Sequence, residues 1–165
     1  SSVFIMVGIP FEEEEDLMDT IHLLGKAKPG RFRWTYFFPY PGTEAHDLAV
    51  KGNYIDYRKM KELVNFTDES CLDFGPGQNL LLSKIGRIMP WFVNACAGLE
   101  TSPFYKEKVD KLLAMDEKEW KKASPGILDE DKKISKSFQI KNLSHYAVKY
   151  NPFMGVISDY FMNEK

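Results

Sequence analysis

Cysteine is scarce in this sequence and never clustered. Cys71 and Cys96 are the only two. With no Cys-x-x-Cys pair, a zinc or iron–sulfur centre held wholly within the chain is not expected, and no metal ligands are assigned. Such scarcity makes a reducing compartment the default, so the expected localisation is cytoplasmic. Long apolar runs are missing too: nothing approaches the roughly 18 residues of a transmembrane helix, and no membrane partner is expected. The first residues lack a charged segment followed by a cleavage site, so no signal peptide is expected. Charge of one sign is not in excess either. The formal net charge is −2, whereas a nucleic-acid surface needs clustered Lys and Arg. Lysines between Lys106 and Lys141 are interleaved with Asp and Glu and read as a solvated face. The three histidines, His22, His46 and His145, are dispersed, with no metal-triad spacing. Internal repeats and low-complexity segments are absent.

What is present is an ordinary globular composition with many rings. Of 165 residues, 44% are hydrophobic, 28% charged and 14% aromatic. That length suits one domain or little more. Aromatics at this density fill cores and line apolar clefts.

The chain is organised around Val3–Thr43. Two apolar runs, Val3–Val7 and Phe32–Phe38, each end in a Gly/Pro turn, and an amphipathic stretch separates them. This is the outline of a β-α-β unit with parallel strands. Val3–Val7 is continuously apolar, as for a strand covered on both faces. Glu12, Glu13, Glu14, Glu15 and Asp16 crowd the start of the following helix, where carboxylates complement the helix dipole. Leu17, Ile21 and Leu24 follow at helical spacing, and Gly25, Pro29 and Gly30 end the helix. In the second strand, Arg31 and Arg33 share one face, while Phe32, Trp34, Tyr36 and Phe38 share the other. A salt bridge from these arginines to the acidic helix start is expected. Ligands of parallel β/α units sit at the strand carboxyl ends, here Gly8–Glu12 and Pro39–Thr43.

Beyond Gly52 the pattern turns helical. Glu44–Val50 is a short helix closed by Gly52, and Asp56–Phe66 another, with Tyr57, Met60, Leu63 and Val64 at helical spacing. Thr67–Gly77 reads as loop. Asn79–Ala97 is the longest apolar pattern, capped by Asn79 and kinked at Pro90. Phe104–Met115 is amphipathic, and Glu117–Trp120 either extends it or starts a separate turn. Ser124–Lys133 reads as a surface loop, Ile134–Ile140 as a strand or extended segment. His145–Tyr150 and Phe153–Met162 read as helical. Two regions follow: residues 1–52 as α/β and 53–165 as mainly helical.

The segments GIPFEEEEDLMDTI, KAKPGRF and FFPYPGTEAHDLA, in this order and spacing, resemble the C-terminal part of the radical S-adenosylmethionine (SAM) superfamily, most closely its cobalamin-binding enzymes. The likeness covers residues 3–52. A looser one covers Arg87–Ala95 and Phe104–Trp120. The resemblance implies an α/β fold class: the last β-α-β units of a partial TIM-like barrel, followed by a mainly helical C-terminal region. It implies SAM and a [4Fe-4S] cluster as cofactors, the cluster ligands lying outside this chain, and cobalamin in the branch it is most like. In that family the cluster reduces SAM, and the resulting 5′-deoxyadenosyl radical abstracts hydrogen from substrate. The chain is therefore expected to be a C-terminal fragment, inactive alone, that helps hold SAM and enclose a reaction such as methylation or ring formation at an unreactive carbon. Its partners would be the remainder of the parent polypeptide, namely the cluster-binding barrel half and a cobalamin domain, together with a small-molecule substrate.

The cofactor-binding candidates are Gly8, Pro10, Glu12, Phe38 and Tyr40; no catalytic residue is assigned. Gly8 allows close backbone approach and Pro10 stiffens the loop. Glu12 suits ribose hydroxyls or a helix cap. Phe38 and Tyr40 offer stacking surface to an adenine or a corrin edge. Each has a plainer role: a strand stop, a helix-start carboxylate, a core ring. Phe11 stands where the family carries Gly, and a bulky residue there takes a positive φ only at a cost. The family's Cys-x-x-x-Cys-x-x-Cys is absent, which fits a truncated chain. Two other readings remain open: a non-catalytic helical binding or interaction module without cofactor, and a different α/β enzyme, such as a transferase, using the same strand ends.

Overall fold

The computed structural model describes residues 1–63, 69–151 and 156–159. It is mixed α/β and mainly helical, with a parallel sheet of two strands, β1 (Ser2–Val7) and β2 (Arg31–Tyr36). Val3 pairs with Phe32 and Ile5 with Trp34 in this sheet. Between the strands runs α1 (Glu14–Ala27), whose Leu17, Ile21 and Leu24 are buried. The expected β-α-β unit therefore forms. Lys28, in the left-handed region, closes α1, and its N–H donates to the Leu24 carbonyl.

One helix dominates the rest. It is α4 (Pro76–Cys96), preceded by α2 (Glu44–Lys51) and α3 (Tyr57–Glu62) and followed by α5 (Ser102–Ala114), α6 (Glu117–Ala123) and α7 (Ile127–Ile140). Ile88 leaves helical geometry at φ −147° and ψ 43°, two residues before Pro90. This is the expected kink, because proline's ring clashes with the preceding turn. Asn79 does not cap α4. The N-cap is Gly75, and the Asn79 side chain reaches back to the Phe74 N–H and the Asp73 carboxylate. Helix α6 is separate, opened by a capping box in which Asp116 and Glu119 each accept the other's backbone N–H.

The larger apolar cluster among the described residues runs from Ile5, Phe32 and Trp34 of the sheet through Ile85, Met89 and Phe92 of α4 to Val109 and Leu112 of α5, and a smaller one gathers Phe37, Ala49, Cys71 and Leu72. The Trp34 indole donates to the Gly86 carbonyl at 2.8 Å, and the Tyr36 hydroxyl to the Leu82 carbonyl at 3.1 Å. Gly86 has to lack a side chain: an added Cβ would lie 1.8 Å from the Tyr36 Oη.

Four expectations are corrected. β1 is covered on one face only: Ile5 and Val7 are buried, while Phe4 and Met6 are 63% and 43% exposed. Phe38 does not continue the Phe32–Tyr36 face, since β2 ends at Tyr36 and Phe37 is the buried ring that follows. Ser124–Ile140 is neither loop nor strand but a 3₁₀ turn at Ser124–Gly126 leading into α7. The chain after it is extended. β3 (Lys149–Asn151) pairs antiparallel with β4 (Val156–Asp159) where helices were expected. The remaining positions of the Phe153–Met162 expectation, and Val64–Phe66 of the one before α4, lie outside the described residues.

The turn into β3 is held by buried polar groups. The Asp131 carboxylate of α7 accepts the Trp91 indole N–H at 2.8 Å and the Val148 N–H at 2.9 Å. Asn94 of α4 accepts the Tyr146 N–H and donates to the Tyr146 carbonyl, each at 2.8 Å. His145, fully buried, lies between the Leu143 carbonyl and the Ser135 hydroxyl, 2.9 Å from each. These bonds override whatever local helix preference residues 145–150 have, because buried donors and acceptors must be paired.

Candidate functional site

The loop leaving β1 is built on two left-handed residues. Gly8 has φ 73° and Phe11 has φ 66°. Gly8 takes that geometry at no steric cost; Phe11 takes it against its own Cβ. Its ring is half exposed and meets Tyr54 edge-on, with centroids 5.4 Å apart. The reversal at Phe11 turns Glu12 back toward the strand end. The Glu12 carboxylate accepts the Gly8 N–H at 2.6 Å and, more weakly, the Ile9 N–H at 3.4 Å. Burial pushes the Glu12 carboxyl above its ordinary range, and the two amide hydrogen bonds offset this only in part. From α4, the Gln78 amide donates to the Glu12 carbonyl.

Gly8 and Pro10 are buried. Around Gly8 stand Leu82, Phe74 and Ser70, each 3.7 Å from where a Cβ would be. Glu12 is thus neither the N-cap of α1, which is Glu13, nor freely solvated.

Phe38 and Tyr40 lie apart from that loop, on the open side of the sheet. Their rings are tilted against each other at 4.9 Å. With Phe4, Met6 and Thr35 they line a concavity of about 330 Å³. Among the described residues, no hydrogen bond or ring contact joins them to the Gly8–Glu12 loop. The strand ends therefore present two surfaces, a tight polar loop under α4 and an apolar hollow on the opposite face. The Thr43 hydroxyl closes the second turn, accepting the His46 N–H to cap α2 and donating to the Tyr40 carbonyl.

A third feature escaped the sequence. A polar cleft of about 660 Å³ lies between α3, α4 and α6, lined in part by Lys59, Glu69, Asn79, Ser83 and Lys121. Lys59 and Glu69 form an ion pair across it at 3.3 Å. No spacing motif links residues so distant in the chain, so only folding assembles it.

The remaining candidates are structural. Cys71 is buried, and its thiol is pushed up by burial. The Cys96 thiol points at the backbone carbonyls of Phe92 and Val93 and is likewise pushed up by burial. Two cysteines, one in the segment before α4 and one at its last residue, are fewer than the thiolates an iron–sulfur cluster takes. Among the described residues no group of three His, Cys, Asp or Glu side chains is placed to hold a metal. The Arg31 guanidinium donates to the Ser2 hydroxyl at 3.0 Å, not to the acidic helix start. No helix among the described residues is long and apolar enough to cross a membrane.

No family model, curated protein or solved structure matches this chain.

Proposed function

We propose that this chain is the closing, C-terminal part of a radical SAM enzyme of the cobalamin-binding kind. Its loop Gly8–Glu12 helps hold SAM, and its strand ends help enclose a radical reaction, such as methylation or ring formation, at an unreactive carbon. The cluster-binding cysteines, the rest of the barrel and a cobalamin domain belong to the remainder of the parent polypeptide. The chain alone is inactive on this reading.

The observation that carries the reading is the backbone at Phe11. The resembling family has Gly at this position, and here the residue adopts φ 66°, the region that favours Gly. A chance match of letters would not require left-handed backbone there. The uncovered sheet face adds support, since parallel strands ordinarily have both faces covered, and Phe4 and Met6 are exposed. SAM and cluster supply radical initiation when bound. This chain's own residues supply position: Gly8 by close backbone approach, Pro10 by stiffness, Glu12 by holding the loop's amides, and Phe38 and Tyr40 by walling the reaction from water.

The second reading, a non-catalytic helical binding module, draws on the polar cleft beside α3 and α6. Calorimetry separates the two. SAM titrated into the parent polypeptide, reconstituted with iron and sulfide, is expected to bind at one equivalent. Residues 1–165 treated alike are expected to show no stoichiometric [4Fe-4S] absorbance. A stoichiometric cluster on this chain alone would contradict the proposal.

A further inference from the structure

The hollow on the open sheet face has its own chemistry. Phe4 and Met6 rise from β1, Phe38 and Tyr40 come from the exit of β2, and Thr35 and Phe37 are among the rest of the lining. Its volume of about 330 Å³ falls at the lower end of small-molecule pockets. Among the described residues, no carboxylate, ammonium, guanidinium or imidazole group lines it. A charged ligand would lose hydration there and gain no partner. Phe4, Phe37, Phe38 and Tyr40, with the Met6 thioether, favour a flat, polarizable guest through edge-to-face and sulfur–ring contacts. The Tyr36 hydroxyl points the other way, donating to the Leu82 carbonyl of α4. The Tyr40 hydroxyl makes no hydrogen bond to another described residue, and Tyr40 is more than half exposed. One polar edge of a guest can therefore be met at the rim.

We propose that this hollow binds an uncharged aromatic small molecule, which identifies the chemical class of the substrate. The inference rests on the reading above for the word substrate, because that reading makes this face the walled side of the reaction. The binding itself needs neither SAM nor a cluster.

The test is a fluorescence titration of residues 1–165 with the uncharged probe N-phenyl-1-naphthylamine. Saturable binding at one site is expected. Met6→Glu places a carboxylate in the hollow and is expected to weaken binding at least tenfold, whereas Leu23→Glu, on the exposed side of α1, changes it less than twofold. The anionic probe 1-anilinonaphthalene-8-sulfonate should compete at least tenfold more weakly than the neutral one. Non-saturable binding, indifference to Met6→Glu, or a dimer in light scattering that buries this face would overturn the proposal. If circular dichroism shows Met6→Glu unfolded, Tyr40→Ala takes its place at the exposed rim, with a several-fold loss expected and no loss counting against the site. Should SAM fail to bind the parent while the naphthylamine still binds here, the radical SAM reading falls and the aromatic site stands. The reverse pattern removes only this site.

Discussion

The Glu12 carboxylate accepts the backbone N–H of Gly8 at 2.6 Å, four residues back along the chain. This contact fixes the shape of the loop at the end of β1. It also sets two opposing effects on Glu12: burial raises its pKa and the amide hydrogen bonds lower it, with burial the larger.

The pH dependence of stability follows from that order. A carboxyl whose folded-state pKa is raised favours the protonated form in the folded state. Its contribution is fully present below the unfolded pKa and is lost as pH rises through the folded one. Relative to Glu12→Gln, which cannot ionise, the wild type should gain stability as pH falls from neutral toward the carboxylate range. Parallel urea denaturation of both proteins across that range checks it. A widening deficit of wild type at low pH would give the wrong sign.

Phe11 offers a test of backbone strain. Phe11→Ala and Phe11→Gly both remove the ring that meets Tyr54, so comparing them isolates φ. At φ 66° the glycine variant should be the more stable by about 1 kcal/mol. At a negative φ the order would reverse, and chemical denaturation reads it directly.

Gly86→Ala should cost about 1–3 kcal/mol, the range for overpacking a filled core. The new methyl would fall 1.8 Å from the Tyr36 Oη. Tyr36 would have to move, and its bond to Leu82 would be lost. Thermal melts measure the cost, and a change in Trp34 fluorescence would report that the Gly86 carbonyl had shifted.

Asp131→Ala should cost about 2–4 kcal/mol, because it strands the buried Trp91 indole N–H and the half-buried Val148 N–H. Hydrogen exchange should show the 143–151 segment released before α4 and α5. Unchanged protection of that segment would mean these bonds do not hold it.

The first third of the fold was legible because Gly and Pro punctuate it. Gly8, Pro29, Gly30 and Gly52 mark the end of β1, the end of α1, the start of β2 and the end of α2 within a residue or two. Helix α7 was not legible, since its buried stripe includes Asp131 and Ser135. Those polar residues face the core only because Trp91 and His145 receive them, a tertiary fact with no local signal. The same holds for Asn94, which pins Tyr146 in extended chain from 52 residues away. Periodicity also could not tell which face of β1 stays open, because Phe4 and Met6 are as apolar as Ile5 and Val7. At the site, the turn residues were visible. The division into a polar loop under α4 and an apolar hollow beside Phe38 was not, since it depends on which side of the sheet α4 packs.

Photolabelling tests the central claim most directly. A photoactivatable SAM analogue bound to the reconstituted parent polypeptide, followed by peptide mapping, should label the Gly8–Glu12 segment, and excess SAM should suppress that label. SAM binding with the label confined to other segments, and none on Gly8–Glu12, would contradict the account.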